Sequence, residues 1–156
     1  MKTIASLWVL LALLISSAAQ ADIGAAMKAI ERGHYATAER ALRKSAEKGD
    51  LRAQNNLGYL YEHGLGVAQS DAEALSWYSR AAEAGLPEAQ HNLATLYHHG
   101  RGVSRNHDLA YKWFTSAANA GYTEAEYMLG ESYRAALGVK KDGAVALSWY
   151  LKAARK

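Results

Sequence analysis

The chain has 156 residues, half of them hydrophobic, with 13 Gly, one Pro and no Cys. That length and composition suit one domain with a hydrophobic core and exclude a disordered chain, and the lack of cysteine excludes disulfides, thiol nucleophiles and Cys-ligated zinc. A formal charge of +3 at pH 7, with both signs interspersed, is too weak and too mixed to mark a nucleic-acid or membrane-surface protein.

The first element in chain order is a leader, MKTIASLWVLLALLISSAAQAD. Lys2 gives it a positive start, Ile4 to Ile15 form an apolar run too short to span a bilayer comfortably, and Ala19-Gln20-Ala21 is the small-x-small pattern that signal peptidase reads. Export is expected, with residues 1–21 cleaved as a signal peptide and a mature chain starting at Asp22. An uncleaved anchor is the alternative, which the short run and the Ala-x-Ala disfavour. Periplasmic retention is the expected destination, and full secretion remains open.

From residue 50 onward the sequence repeats. ALSWY occurs at Ala74–Tyr78 and at Ala146–Tyr150, with AYKWF at Ala110–Phe114 between them. Trp77, Trp113 and Trp149 are 36 residues apart, and the same step relates Gly49, Gly85 and Gly121, or Leu57, Leu93 and Leu129, or Tyr61, Tyr97 and Tyr133. Aligned without gaps, residues 50–85 and 86–121 are identical at 16 of 36 positions. A repeat of this length is one supersecondary unit that buries its apolar face only by stacking on neighbours. The units run 50–85, 86–121 and 122–156, and residues 22–49 read as an atypical leading helix pair that caps the stack.

Each unit reads as two helices. Helix A covers about 51–63 in the first copy, where Ala53, Leu57, Leu60 and Tyr61 keep a helical spacing. Pro87 suits the first turn of its counterpart, and Thr123 with Glu126 offers a capping box in the third. Gly64 is placed to end helix A in the left-handed conformation, and Gly66-Val67 continues the turn. Helix B starts after Ser70, Asn106 and Asp142, good N-cap residues at one register, with Ser70 and Glu73 as a second capping box. The expected core of the stack is Leu57, Tyr61, Trp77, Leu93, Tyr97, Trp113, Leu129, Tyr133 and Trp149, with Gly58, Ala94 and Gly130 allowing close helix approach. The third unit departs from the pattern. Ala136 replaces the first turn glycine, which predicts a strained or lengthened turn, and Ser132 replaces the Leu60/Leu96 position. Its helix B is expected to expose apolar surface.

The unit AQNNLGYLYEHGLGVAQSDAEALSWYSRAAEAG resembles the Sel1-like repeat family, relatives of the tetratricopeptide repeat. The matching marks are Ala-x-x-x-Leu-Gly-x-x-Tyr, the Gly-x-Gly-Val turn, Ala-x-x-Trp-Tyr and the Ala-Ala-x-x-Gly ending. The resemblance implies an all-α fold, a right-handed α/α superhelix of antiparallel helix pairs, acting as an interaction scaffold.

No catalytic constellation stands out. The Gly-x-Gly turns follow no strand and lack a Lys-Ser/Thr partner, no Gly-x-Ser-x-Gly occurs, and the six histidines form no His-Glu-x-x-His. No catalytic residue, metal site or cofactor is therefore expected. Binding is better grounded. In the tetratricopeptide relatives helix A lines the concave face, and this register places Arg52, Asn55, Tyr59, Glu62, His91, Thr95, His98, Tyr127, Glu131 and Arg134 there. Such a polar, aromatic face of mixed charge suits an extended peptide or a protein loop, although each residue singly also reads as a solvated helix position. The expected function is a non-catalytic exported adaptor for a protein or peptide partner, with no nucleic acid bound and the membrane met only during export. A self-associating envelope protein joined through the C-terminal helix is the alternative, and an enzyme on cell-wall substrate rests on compartment alone.

Overall fold

The computed structural model describes residues 23–156, so the expected leader and cleavage point lie outside the described residues. Eight helices follow in order: α1 over 23–31, α2 (Tyr35–Ala46), α3 (Leu51–His63), α4 (Asp71–Glu83), α5 (Pro87–His99), α6 (His107–Asn119), α7 (Thr123–Ala135) and α8 (Gly143–Ala153). Each packs on the next along the chain, giving the expected right-handed α/α superhelix of antiparallel pairs. Helices α3, α5 and α7 are helix A of the three units, and α4, α6 and α8 are helix B.

The helix ends repeat as the pattern demands. Gly64 and Gly100 close α3 and α5 with φ of 66° and 72°, and the next N–H returns to the helix, Leu65 to Leu60 and Arg101 to Leu96. Ala136 closes α7 in the same left-handed state at φ 57°, so that turn is strained but not lengthened. The side chains of Ser70, Asn106 and Asp142 accept from Glu73, Leu109 and Val145 N–H, as N-caps should.

Two expected capping boxes do not form. The Ser70 backbone N–H is already donated to the Tyr61 carbonyl at 2.9 Å, a bond repeated from Asn106 to Tyr97 and from Asp142 to Tyr133. Helix B is thus tied to helix A of its own unit, and no donor is left for Glu73. In the third unit Tyr122 is the N-cap, and Thr123 lies inside the helix. Glu126 is fully buried and pairs through one oxygen with Lys152 at 3.1 Å and Lys156 at 2.9 Å. Its register equivalents explain the position: Gln54 and Gln90 donate to the Ala46 and Ala82 carbonyls of the preceding helix B. Glutamate has no N–H to donate, and Lys152 of α8 and Lys156 just beyond it satisfy it instead.

The core also differs in detail from the expected list. Leu57, Leu93 and Leu129 are buried, and so is Trp77, but Trp113, Trp149, Tyr61, Tyr97 and Tyr133 are only half-buried. The fully buried ring is the one after tryptophan, Tyr78 or Phe114. It lies over the small residue of helix A: a Cβ on Gly58 would come within 2.8 Å of the Tyr78 ring. Tryptophan stands at the margin, where its outer face takes a cation, Arg80 over Trp77 at 4.4 Å and Lys152 over Trp149 at 4.6 Å. Ser132 is buried after all, its hydroxyl donated to the Met128 carbonyl at 2.8 Å.

The second turn glycine joins units. A Cβ on Gly66 would stand 2.5 Å from the Tyr35 backbone, and one on Gly102 would stand 2.5 Å from the Asp71 carbonyl oxygen. Each turn therefore presses on the start of the previous helix B. Gly102→Ala is expected to destabilise by about 3 kcal/mol or more, combining a left-handed φ with a backbone clash. Gly85→Ala, at φ +95° with open space around it, should lose only about 1 kcal/mol in the same urea titration. Ala136→Gly should gain about 1 kcal/mol, since glycine relieves the left-handed strain and gives back part of the gain as chain entropy.

Candidate functional site

The helix-A face carries the residues expected to bind, and they fall into three groups. Some are spent on structure. Glu62 accepts from the Tyr78 hydroxyl at 2.7 Å and from Arg101 at 2.7 Å, while Arg101 also grips Asp71 with two nitrogens. Asn55 accepts from Asn92 at 3.0 Å, bridging the first and second units, and Thr95 donates to the His91 carbonyl of its own helix. Arg52 is exposed. Arg101 was not among the expected site residues. Its signal in the sequence is a charge at the register where the other units carry Leu65 and Leu137.

A second group is aromatic and open. Tyr59 is 45% exposed and its ring lies 4.1 Å from that of His63. Tyr127 is 52% exposed and lies 5.4 Å from the Tyr150 ring. The third group is a histidine cluster at the junction of α5 and α6, with His98 4.7 Å from His99 and 5.1 Å from His107, ring to ring. Among the described residues no group of three or more His, Cys, Asp or Glu side chains is placed to hold a metal ion.

Four expected residues converge on one cavity of about 850 Å³: His91, Tyr127, Glu131 and Arg134. Helix α7 adds Thr123, Glu124 and Met128, and the far wall is Tyr150, Ala153 and Ala154 from the end of α8. Glu131 accepts from Arg134 and from the Tyr150 hydroxyl, so its charge is paired on that rim. Glu124, on the opposite rim, is exposed. Apolar surface on this helix is expected from the sequence and present, but that Tyr150, Ala153 and Ala154, at positions that are core in the other units, wall a cavity follows only from the structure.

Burial lowers the pKa of His91, whose ring sits between Phe114 and Tyr122 with Nδ1 unpartnered. Burial also lowers His98, and the neighbouring His99, His107 and Arg105 add repulsion. The Glu131 carboxyl is held below its usual range by Arg134 and Tyr150; that of Glu126, which burial alone would raise, is held down by Lys156 and Lys152.

A stack of antiparallel helix pairs stepping 36 residues, with a groove on the helix-A face, defines an α/α repeat scaffold. The Sel1 repeat model matches residues 51–86, 87–122 and 123–156, and the chain belongs to the Sel1 repeat family. It is 36% identical to a Sel1 repeat protein from Oxalobacter formigenes, with a TM-score of 0.81 over 85% of this chain and 54% of that one. It is 32% identical to a protective antigen of uropathogenic Escherichia coli that displays an SLR fold, with a TM-score of 0.84 over 90% of this chain and 31% of that one. The chain therefore spans about half and about a third of the length of these two relatives. Helicobacter pylori cysteine-rich protein B, 20% identical over 75% of this chain and 89% of that one with a TM-score of 0.58, shares the fold. No curated protein matches the chain. Sel1 repeat proteins generally serve as protein–protein interaction scaffolds.

The lowered histidines bind fewer protons when folded than when unfolded, so stability is full above pH 6.5 and falls as pH drops below it. The lowered carboxylates hold their contribution until about pH 4.5 and lose it below. Thermal unfolding followed by circular dichroism should show a first decline in Tm below pH 6.5, reduced in His98→Gln, and a second below pH 4.5 that this variant keeps. A Tm that stays flat from pH 7 to pH 5 contradicts the histidine assignment.

Proposed function

We propose that this protein is an exported, non-catalytic adaptor that binds a protein or peptide through its helix-A face. The observation that carries the reading is the cavity lined by His91, Tyr127, Glu131 and Arg134, where an exposed tyrosine shares the lining with two alanines of the far wall. Exposed aromatic rings with few rotors, beside a neutralised ion pair, suit repeated weak contacts along a peptide. Scaffolding as the general role of the family supports it. The leader supports export, with the periplasm as the first destination, and so does the protective-antigen relative. No helix among the described residues is long and apolar enough to cross a membrane.

Self-association through α8 is the competing reading, favoured by Leu147 at 57% and Leu151 at 49% exposure. Light scattering at high protein concentration decides between them, since a monomer removes that reading. For the leading one, affinity capture from envelope extract is compared between wild type and a Tyr59→Ala, His91→Ala, Tyr127→Ala triple variant. The partners of the wild type should be lost from the variant, and equal recovery by both sinks the assignment of this face.

A further inference from the structure

In the first unit one corner of the repeat closes on a cation. Glu62, near the end of α3, and Asp71, at the start of α4, each hold Arg101 of the following turn at 2.7 Å. The same corner recurs 36 residues on, where His98 replaces Glu62, His107 replaces Asp71 and Leu137 replaces Arg101. The backbone frame is kept: Gly102 presses on the Asp71 carbonyl, and Gly138 presses on that of His107. Two carboxylates have become two imidazoles, and the guanidinium between them has become a leucine. The second corner is built from groups whose only charged form is positive.

The His98 ring lies 5.1 Å from that of His107 and 4.7 Å from that of His99, with Phe114 behind it at 6.4 Å. His98 and His107 are half-buried, while His99 and Arg105 are exposed and leave the corner open to solvent. Among the described residues none of the three rings, nor Arg105, makes a hydrogen bond or an ion pair, and His107 Nδ1 is buried without a partner. Burial, then the charges of His99, His107 and Arg105, hold the His98 pKa below its ordinary value. The carboxylates of the surrounding helices are engaged elsewhere: Glu62 of α3 and Asp71 of α4 on Arg101, and Glu131 of α7 on Arg134. Asp108 of α6 is exposed and pairs with none of these cations. Protons taken up here have no counter-charge within the described residues.

We propose that the corner formed by His98, His107, His99 and Arg105 docks a carboxylate from an acidic segment of a partner protein, the charge inverse of the clamp that Glu62 and Asp71 close on Arg101. Protonated His98 and His107 donate N–H to the carboxylate as the two acids accept from the guanidinium, and Arg105 stands at the open side. A bound anion favours the protonated rings, so docking takes up protons and tightens as pH falls below 6.5. A membrane surface fits less well. It needs a broad basic face, and this chain intersperses both signs, whereas one carboxylate suits a corner framed by half-buried rings. The inference rests on the protein-binding reading above and gives it a partner chemistry and a pH dependence.

The probe is a fluorescein-labelled heptapeptide, Gly-Ser-Glu-Asp-Glu-Ser-Gly, followed by anisotropy at about pH 5.5 and about pH 7.5, where its acids stay ionised. Saturable binding is expected, about tenfold or more tighter at the lower pH. His98→Gln with His107→Gln should remove that difference, and Arg105→Gln, at an exposed position, should weaken binding at both pH values. Restoring the chemistry of the first corner, by His98→Glu, His107→Asp and Leu137→Arg, should abolish binding, since the corner then closes on its own cation. No binding by wild type, or a pH dependence that survives the double Gln change, overturns the proposal. So does binding to phosphatidylglycerol vesicles at the lower pH without binding of the peptide, since the occupant is then a membrane. Failure of the peptide to bind, while the Tyr59/His91/Tyr127 variant still loses its envelope partners, overturns the carboxylate dock alone and leaves the adaptor reading standing. Partners kept by that variant and by the double Gln variant overturn the adaptor reading.

Discussion

A helix B in this protein has two apolar flanks and only one helix of its own unit to cover them. The second flank is covered by helix A of the next unit, and the rest of the structure answers to that requirement. Where both partners are present, the ring after tryptophan is fully buried, as in Tyr78 and Phe114, and each such ring contributes roughly 2 kcal/mol of apolar burial. At α8 the next helix is not among those described, and the equivalent ring, Tyr150, is only half-buried. The turn glycines serve the same requirement by letting the backbone of one unit rest on the start of the previous helix B. Stability is then a sum over units and their interfaces.

The copies differ most where one polar slot is filled by different chemistry. Glu62, His98 and Arg134 share a register on helix A. In the first unit the slot holds a carboxylate gripped by Tyr78 and Arg101, which ties the turn of the second unit to the first. In the second unit Phe114 has no hydroxyl to offer, and the slot holds a histidine beside two others. In the third, Arg134 pairs with Glu131, whose carboxylate also takes the Tyr150 hydroxyl. The repeat keeps the packing constant and lets this face vary. It leaves the first unit locked, the second with a histidine cluster and the third bordering the cavity.

Much of this was legible in residue order, and the misses share a cause. Left-handed helix ends at Gly64 and Gly100 and N-caps at Ser70, Asn106 and Asp142 follow from local chemistry, and all are present. The capping boxes at Ser70–Glu73 and Thr123–Glu126 satisfied the same local rules and do not form, because a carbonyl of helix A claims one donor and Lys152 and Lys156 claim the other carboxylate. The expected core list named tryptophan and omitted the ring after it; Trp77 is buried, but Trp113 and Trp149 are half-buried, and the ring that closes over Gly58, where close approach is expected, is Tyr78. Of the expected binding residues, Glu62 and Asn55 turned out to hold units together, while His91, Tyr127, Glu131 and Arg134 share a cavity.

The sequence by itself determined the unit, its 36-residue step and the ends of its helices, because those depend on the backbone conformations a residue permits and on bonds made within a few positions. Only the tertiary structure decided which polar residues are consumed in joining units and which remain to meet a partner. That choice depends on contacts such as Arg101 with Glu62, or Lys156 with Glu126, between residues 39 and 30 positions apart.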